Sequence, residues 1–203
     1  TAATYAIKCS IGFIRVDHDY VDGDSFEQEL LIERVVNPLN CLLDCASIEV
    51  DGSDAKHGMY IEPMLVADFK KKYPNKEPES FGEDEKETKS YKDDEFINVA
   101  EYFEIIEESK EVGQLEGGDI EEYAEGTEYS AKRSMVKKSV KRCVLSGCDV
   151  LNETTFPGIY IPIVPVYGEE AWVDGKRELY SLIRKSKDAQ RMFNYWKSLE
   201  TEL

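Results

Sequence analysis

The sequence predicts an α+β fold, with a mixed or mostly antiparallel sheet and two or three helices. Three observations carry that expectation. Short runs rich in Val, Ile, Tyr and Phe recur along the chain, punctuated by Asp22-Gly23, Asn37-Pro38, Asp51-Gly52 and Asp174-Gly175. Helical spacing is clearest at Leu65–Tyr73 and again from Asp188 onward. Strands and helices do not alternate as βαβ units would require. At 203 residues, 41% hydrophobic and 33% charged, the chain suits one sizeable domain with a core beneath a charged surface.

In chain order, Ile11, Phe13, Ile14 and Val16 precede the Asp22-Gly23 turn signal, and Phe26, Leu30 and Ile32 follow it, a hairpin pattern. Asp17, Asp19, Asp22 and Asp24 fail the EF-hand series. Counting from Asp17, the sixth position is Asp22 rather than Gly and the twelfth is Gln28 rather than Glu. Leu30–Val36 and Cys41–Asp44 read as further strands broken at Asn37-Pro38. Asp51-Gly52-Ser53-Asp54 is a turn, and Met59, Tyr60 and Ile61 form a short strand. Leu65, Val66, Phe69 and Tyr73 then give an amphipathic helix stopped by Pro74. Residues 75 to 95 are polar and read as an exposed loop. Periodicity is ambiguous from Phe96 to Ile106, but β-branched and aromatic content favours strand.

Between Glu83 and Glu128 eighteen acids face four lysines, a net −14 of the chain's −17. The expectation is an acidic, solvated excursion at about 75–130 within a single domain spanning 1–203. The sign then reverses at Lys132, Arg133, Lys137, Lys138, Lys141 and Arg142, threaded with Met135, Val136, Val140 and Val144. Cross-strand pairing with the acidic segment, or with a neighbouring subunit, is the expected role. No aromatic residue stands in this stretch to stack on a base, which argues against a nucleic-acid site.

The last quarter is the most distinctive. Tyr160-Ile161-Pro162-Ile163-Val164-Pro165-Val166-Tyr167 can only be extended, and its prolines restrict it to a sheet edge. A Trp172-Val173-Asp174-Gly175-Lys176 hairpin follows. Asp188 then stands as a candidate N-cap before Met192, Phe193, Trp196, Leu199 and Leu203 on one helical side.

That order of parts resembles the portal protein, the head-to-tail connector, of short-tailed double-stranded DNA phages and related prophages. The matching stretch runs from Pro157 through Asp174-Gly175-Lys176-Arg177 and Leu182-Ile183-Arg184 to Lys187–Ser198. Ile32–Pro38, Asp51–Ala55 with Phe69 and Tyr73-Pro74, and Ile97–Phe103 look similar in the same order. Cys45 stands where an Asp-Pro pair is expected, and Tyr180-Ser181 where a glycine is expected. The resemblance implies a structural rather than enzymatic role in a closed homo-oligomeric ring, commonly of twelve copies, at the capsid vertex of the virion. DNA is packaged and ejected through such a ring. Terminase, tail-accessory and capsid or scaffolding proteins are the implied partners, with transient passage of DNA and assembly in the host cytoplasm. The chain would be a wing-region piece of a longer protein, its last helix heading toward the stem. Implied structural or subunit contacts are Tyr160, Pro162, Pro165, Tyr167, Arg191, Asn194, Tyr195 and Trp196, with Lys137, Lys138 and Lys141 on the basic segment.

Composition sets the alternatives. A net charge of −17 opposes tight phosphate binding and suits a channel that lets DNA slide, but suits an acidic protein-binding adaptor equally well. Five cysteines (Cys9, Cys41, Cys45, Cys143, Cys148) fit a reduced compartment. A zinc site from Cys41/Cys45 and Cys143/Cys148 has only permissive spacing, so core thiols are expected and no metal or other cofactor. His18 and His57 are expected at the surface. No nucleophile, Walker or zincin motif is present, and no apolar run long enough to span a membrane.

Overall fold

The computed structural model describes residues 1–77, 96–114, 120–123, 129–147 and 149–202. These fall into two compact units, Thr1–Gly58 with Pro162–Leu203, and Met59–Ile161. The expected α+β class holds, with three α-helices and eleven strands among the described residues.

The first unit opens with a helix the sequence reading omits, α1 (Ala2–Cys9). It ends where Ser10 turns left-handed at φ 75° and donates its N–H to the Ala6 carbonyl at 3.1 Å. Strand β1 (Ile11–Tyr20) follows, and α1 lies so close to it that a β-carbon on Gly12 would collide with the Ala2 backbone. The expected hairpin forms between β1 and β2 (Gln28–Arg34), with Val16 opposite Ile32 and Tyr20 opposite Gln28. Its turn is wider than two residues. Ser25 N–H donates to the Asp22 carbonyl at 3.1 Å and Glu27 N–H to Ser25 Oγ at 3.0 Å. Those local bonds compete with a tight Asp-Gly turn and leave Phe26 outside the ladder, 96% exposed.

Asn37-Pro38 breaks the chain as expected, into a 3-10 turn at Pro38–Asn40 whose Leu39 N–H donates to Asn37 Oδ1 at 3.0 Å. Strand β3 (Cys41–Leu43) then buries Cys41. The following turn is tied by two carboxylates. Asp44 accepts from Ala46 N–H and Lys56 N–H, and Asp54 accepts from Ser47 Oγ and Ile48 N–H.

The proline-bearing segment returns as β9 (Ile163–Tyr167), antiparallel to β1 in the order β2-β1-β9. It is an edge strand, where a missing proline N–H costs nothing, and Pro165 sits buried opposite Phe13. The strand starts at Ile163 rather than Tyr160, because Gly158 turns the chain at φ 118° and the bends run on to Tyr160. Strands β10 (Glu169–Val173) and β11 (Lys176–Tyr180) form the expected hairpin. Asp174 and Gly175 both take positive φ, 48° and 73°, as a two-residue type I′ turn requires. A 3-10 turn at Leu182–Ser186 leads into α3 (Lys187–Glu202). Asp188 is therefore not an N-cap. The preceding 3-10 turn starts the helix two residues earlier than an Asp188 cap would and places its carboxylate in the first turn, where the helix dipole still favours it.

Strand β4 (His57–Leu65) leads into the second unit, which continues with α2 (Val66–Lys72), β5 (Phe96–Gln114), β6 (Ile120–Glu122), β7 (Ala131–Ser146) and β8 (Asp149–Phe156). Its sheet order is β4-β5-β7-β8, with β6 beside β5. Helix α2 ends where Tyr73 N–H bonds the Phe69 carbonyl at 2.8 Å and Pro74 blocks another turn. Phe69 is fully buried against Ile97, Val99 and Val144, with Met64, Val66, Tyr73 and Leu151 around them. Phe103 and Phe156 meet edge to face at 5.7 Å in a second buried contact.

The ambiguous Phe96–Ile106 run is strand, and longer than expected, because β5 and β7 stay in register from Val99 opposite Ser146 to Gln114 opposite Ala131. Over Phe96–Gln114 the acidic segment is thus a paired ribbon strand, not a solvated coil. The register sets acids against bases along its length, which rewards pairing. Residues 78–95, most of the expected loop at 75–95, and Gly117-Gly118 lie outside the described residues.

Candidate functional site

Three features of the fold present chemistry to the outside. On the ribbon, the bases of β7 face the acids of β5 across the ladder. Lys132 Nζ lies 2.8 Å from Glu111, Lys138 Nζ 3.2 Å from Glu107, and Arg142 pairs with Glu101. Lys141 turns the other way, 2.7 Å from Glu153 on β8. Hydrogen bonds to Glu111 and Glu153 raise the Lys132 and Lys141 ammonium groups above their ordinary pKa. Lys137 stands opposite Glu108 in register. The basic segment therefore meets the acidic one within a single chain.

Arg177 organises the β10–β11 hairpin. Its guanidinium lies 4.9 Å from the Tyr167 ring centroid and 5.2 Å from that of Trp172. It donates to Tyr167 Oη at 2.8 Å and to the Ile48 carbonyl at 2.6 Å, and its Nε is 3.1 Å from a Glu170 carboxylate oxygen. Burial pushes the Tyr167 phenol above its ordinary pKa, with the Arg177 charge opposing. One side chain thus ties the hairpin to β9 and to the turn after β3. Sequence reasoning singled out Tyr167 and missed Arg177. An arginine directly after Asp-Gly-Lys, facing Tyr and Trp, is the signal that could have found it.

Helix α3 is the third feature. Met192, Phe193, Tyr195 and Trp196 are each more than half exposed, the last two at 62% and 63%. Tyr195 and Trp196 meet edge to face at 6.0 Å. Asn194 accepts from Gln190 Nε2 at 3.0 Å, and Arg191 reaches Asp188 at 3.5 Å. Among the described residues the expected apolar stripe is largely exposed at Met192, Phe193 and Trp196, and Leu203 lies outside them. Four large apolar side chains thus stand exposed on one helix. Of the remaining expected contact residues, Pro162 is buried with its carbonyl accepting from Val16 N–H at 2.9 Å, and Tyr160 is exposed on the bend before β9.

The family model for the phage P22-like portal protein matches residues 1–203. The chain belongs to that family. The portal protein of Acyrthosiphon pisum secondary endosymbiont phage 1 is 26% identical over 187 residues, covering 82% of this chain and 26% of that relative. This portal-family chain thus spans about a quarter of the length of the curated relative it matches. The resemblance read from Pro157 to Ser198 is confirmed at the level of the family.

Portal-family membership agrees with a chain whose prominent features are surfaces. Among the described residues no group of three or more His, Cys, Asp or Glu is placed to hold a metal. Cys41 is buried, and burial pushes its thiol up to about 12, whereas Cys45 and Cys9 are exposed. Cys148 lies outside the described residues. His57 is exposed, 3.7 Å from Asp44, while His18 is half-buried rather than at the surface, 3.5 Å from Asp17. No helix among the described residues is long and apolar enough to cross a membrane.

Proposed function

We propose that this chain is a wing-region part of a phage portal ring, a non-enzymatic component of the vertex through which DNA is packaged and ejected. The observation that carries the proposal is the exposed apolar face of α3, in a chain whose whole length matches the portal family. Met192, Phe193 and Trp196 would be covered when copies assemble head to tail. A closed ring needs two different complementary faces, and a helix with an exposed apolar face is suited to present one of them. Tyr160, Pro162, Pro165 and Tyr167 would set the edge strand that positions the hairpin ahead of α3. Arg191, Asn194 and Tyr195 would rim the apolar face. Terminase, tail-accessory and capsid or scaffolding proteins would dock on the assembled ring. The acidic-adaptor alternative loses its basis in part, because Glu101, Glu107 and Glu111 already have cationic partners in β7. For the same reason Lys138 and Lys141 are weaker candidates for ring contacts than α3.

The test is Phe193→Glu with Trp196→Glu in the full-length parent. Both positions are exposed, so the fold should survive, which circular dichroism checks, while ring yield by size-exclusion chromatography should fall at least about tenfold. Unchanged ring yield in a folded variant would remove α3 from the interface.

A further inference from the structure

An open cleft of about 800 Å³ lies in the first unit, between the end of α1, the 3-10 turn at Leu182–Ser186 and the start of α3. Lys8, Arg184, Lys187 and Arg191 line it, with Ser10 and Asn194 among its polar groups, and no carboxylate belongs to its wall. In a chain of 42 acids and 25 bases, four cations around one acid-free concavity are a marked local reversal of charge. Among the described residues Lys8, Arg184 and Lys187 have no carboxylate partner. Arg184 lies over the Tyr180 ring at 5.0 Å, and Arg191 is held only by exposed Asp188 at 3.5 Å. A concave surface focuses the field of these cations and favours an anion with several charges.

The chain itself carries an anion of that kind. The acids of β5 are matched by the bases of β7, but residues 115–128 hold six carboxylates and no base. We propose that the cleft receives this acidic stretch from a second copy of the chain. The inference rests on the ring proposal for the second copy, since a head-to-tail contact joins two unlike surfaces and here supplies them with opposite charge. It adds a polar contact beside the apolar face of α3 and would set the register between neighbours.

The first experiment needs no ring, so its failure is distinct from failure of the ring proposal. A fluorescein-labelled peptide of residues 115–128 is titrated into the 203-residue chain at about 0.05 M salt and followed by anisotropy. Saturable binding is expected, weakened about tenfold or more by Lys187→Glu with Arg191→Glu, and likewise by raising salt to about 0.5 M. No binding, or equal binding by the folded variant, overturns the proposal. So does a short DNA duplex that binds the same cleft more tightly than the peptide, which would make it a phosphate contact.

The second experiment uses full-length protein. A cleft variant with Lys8, Arg184, Lys187 and Arg191 all changed to Glu, and an acidic-stretch variant with Glu116, Glu121, Glu122 and Glu125 all changed to Lys, should each lose rings alone, because like charges then meet at every contact. An equal mixture should recover them, since alternating copies restore opposite charges at each contact. Either variant assembling normally by itself, or a mixture that fails to recover, overturns the proposal.

Discussion

Replacing Arg177 by Met removes the guanidinium while keeping most of the side-chain volume. Three losses follow from the geometry. The charge-assisted bonds to the Ile48 carbonyl and Tyr167 Oη are broken, typically about 1.5–3 kcal/mol for bonds to a charged group. Two cation–π contacts, with Tyr167 and Trp172, contribute roughly 0.5–1 kcal/mol each. Glu170, with 19% of its side chain exposed, loses its cation and recovers part of that cost by hydration. These terms overlap, so the expected net loss is about 3 kcal/mol, roughly a hundredfold in the folding equilibrium. Both tryptophans of the chain, Trp172 and Trp196, belong to the first unit, so intrinsic fluorescence reports its unfolding. With a urea slope of about 2 kcal/mol per molar, the midpoint of the fluorescence transition should fall by about 1.5 M. A midpoint within about 0.3 M of the wild type would show that Arg177 does not hold the hairpin in place.

Cys41 gives a pH prediction. Its folded pKa, about 12, is above the ordinary 9.0, so its contribution is complete below pH 9 and is lost as pH rises toward 12. The stability difference between wild type and Cys41→Ala should therefore shift against the wild type from pH 8.5 to 10.5 in urea melts, and a pH-independent difference would contradict the burial argument. Gly12→Ala should destabilise the first unit by about 1–3 kcal/mol, because the obstacle is the backbone of α1 rather than a movable side chain. Thermal denaturation with no loss would mean that α1 lifts away freely. On the ribbon, a double-mutant cycle between Glu107→Gln and Lys138→Gln should give a coupling near 0.5 kcal/mol, because both side chains are about half exposed. A coupling indistinguishable from zero in urea melts would assign the ribbon's cohesion to its backbone ladder alone.

Much of this fold is legible in the sequence where local chemistry and tertiary demand agree. Asp174-Gly175 specifies a type I′ turn and forms one, and Pro162 and Pro165 restrict their segment to an edge, where β9 lies. The alternation of sign between Glu101–Glu111 and Lys132–Arg142 announces cross-strand pairing, which the register bears out. What could not be read depends on contacts distant in sequence. Helix α1 is eight residues, too short to be stable alone, and forms against β1 because Gly12 admits it. Strand β8 carries few apolar residues and is strand because β7 offers it a ladder. Asp188 has cap chemistry, but the 3-10 turn ahead of it extends the helix past that position. At the candidate surface, the apolar face of α3 was legible from its spacing, whereas its exposure was not, since helical periodicity says which residues share a side and nothing about what covers it. Arg177 was missed for a similar reason: its partners Ile48 and Tyr167 are brought to it only by the fold.

The most direct test of the central claim is negative-stain electron microscopy of the full-length parent protein at modest salt. The account predicts closed rings with a central hole, in which α3 lies at a contact between neighbours. Uniform compact monomers across a range of salt and protein concentrations would contradict it.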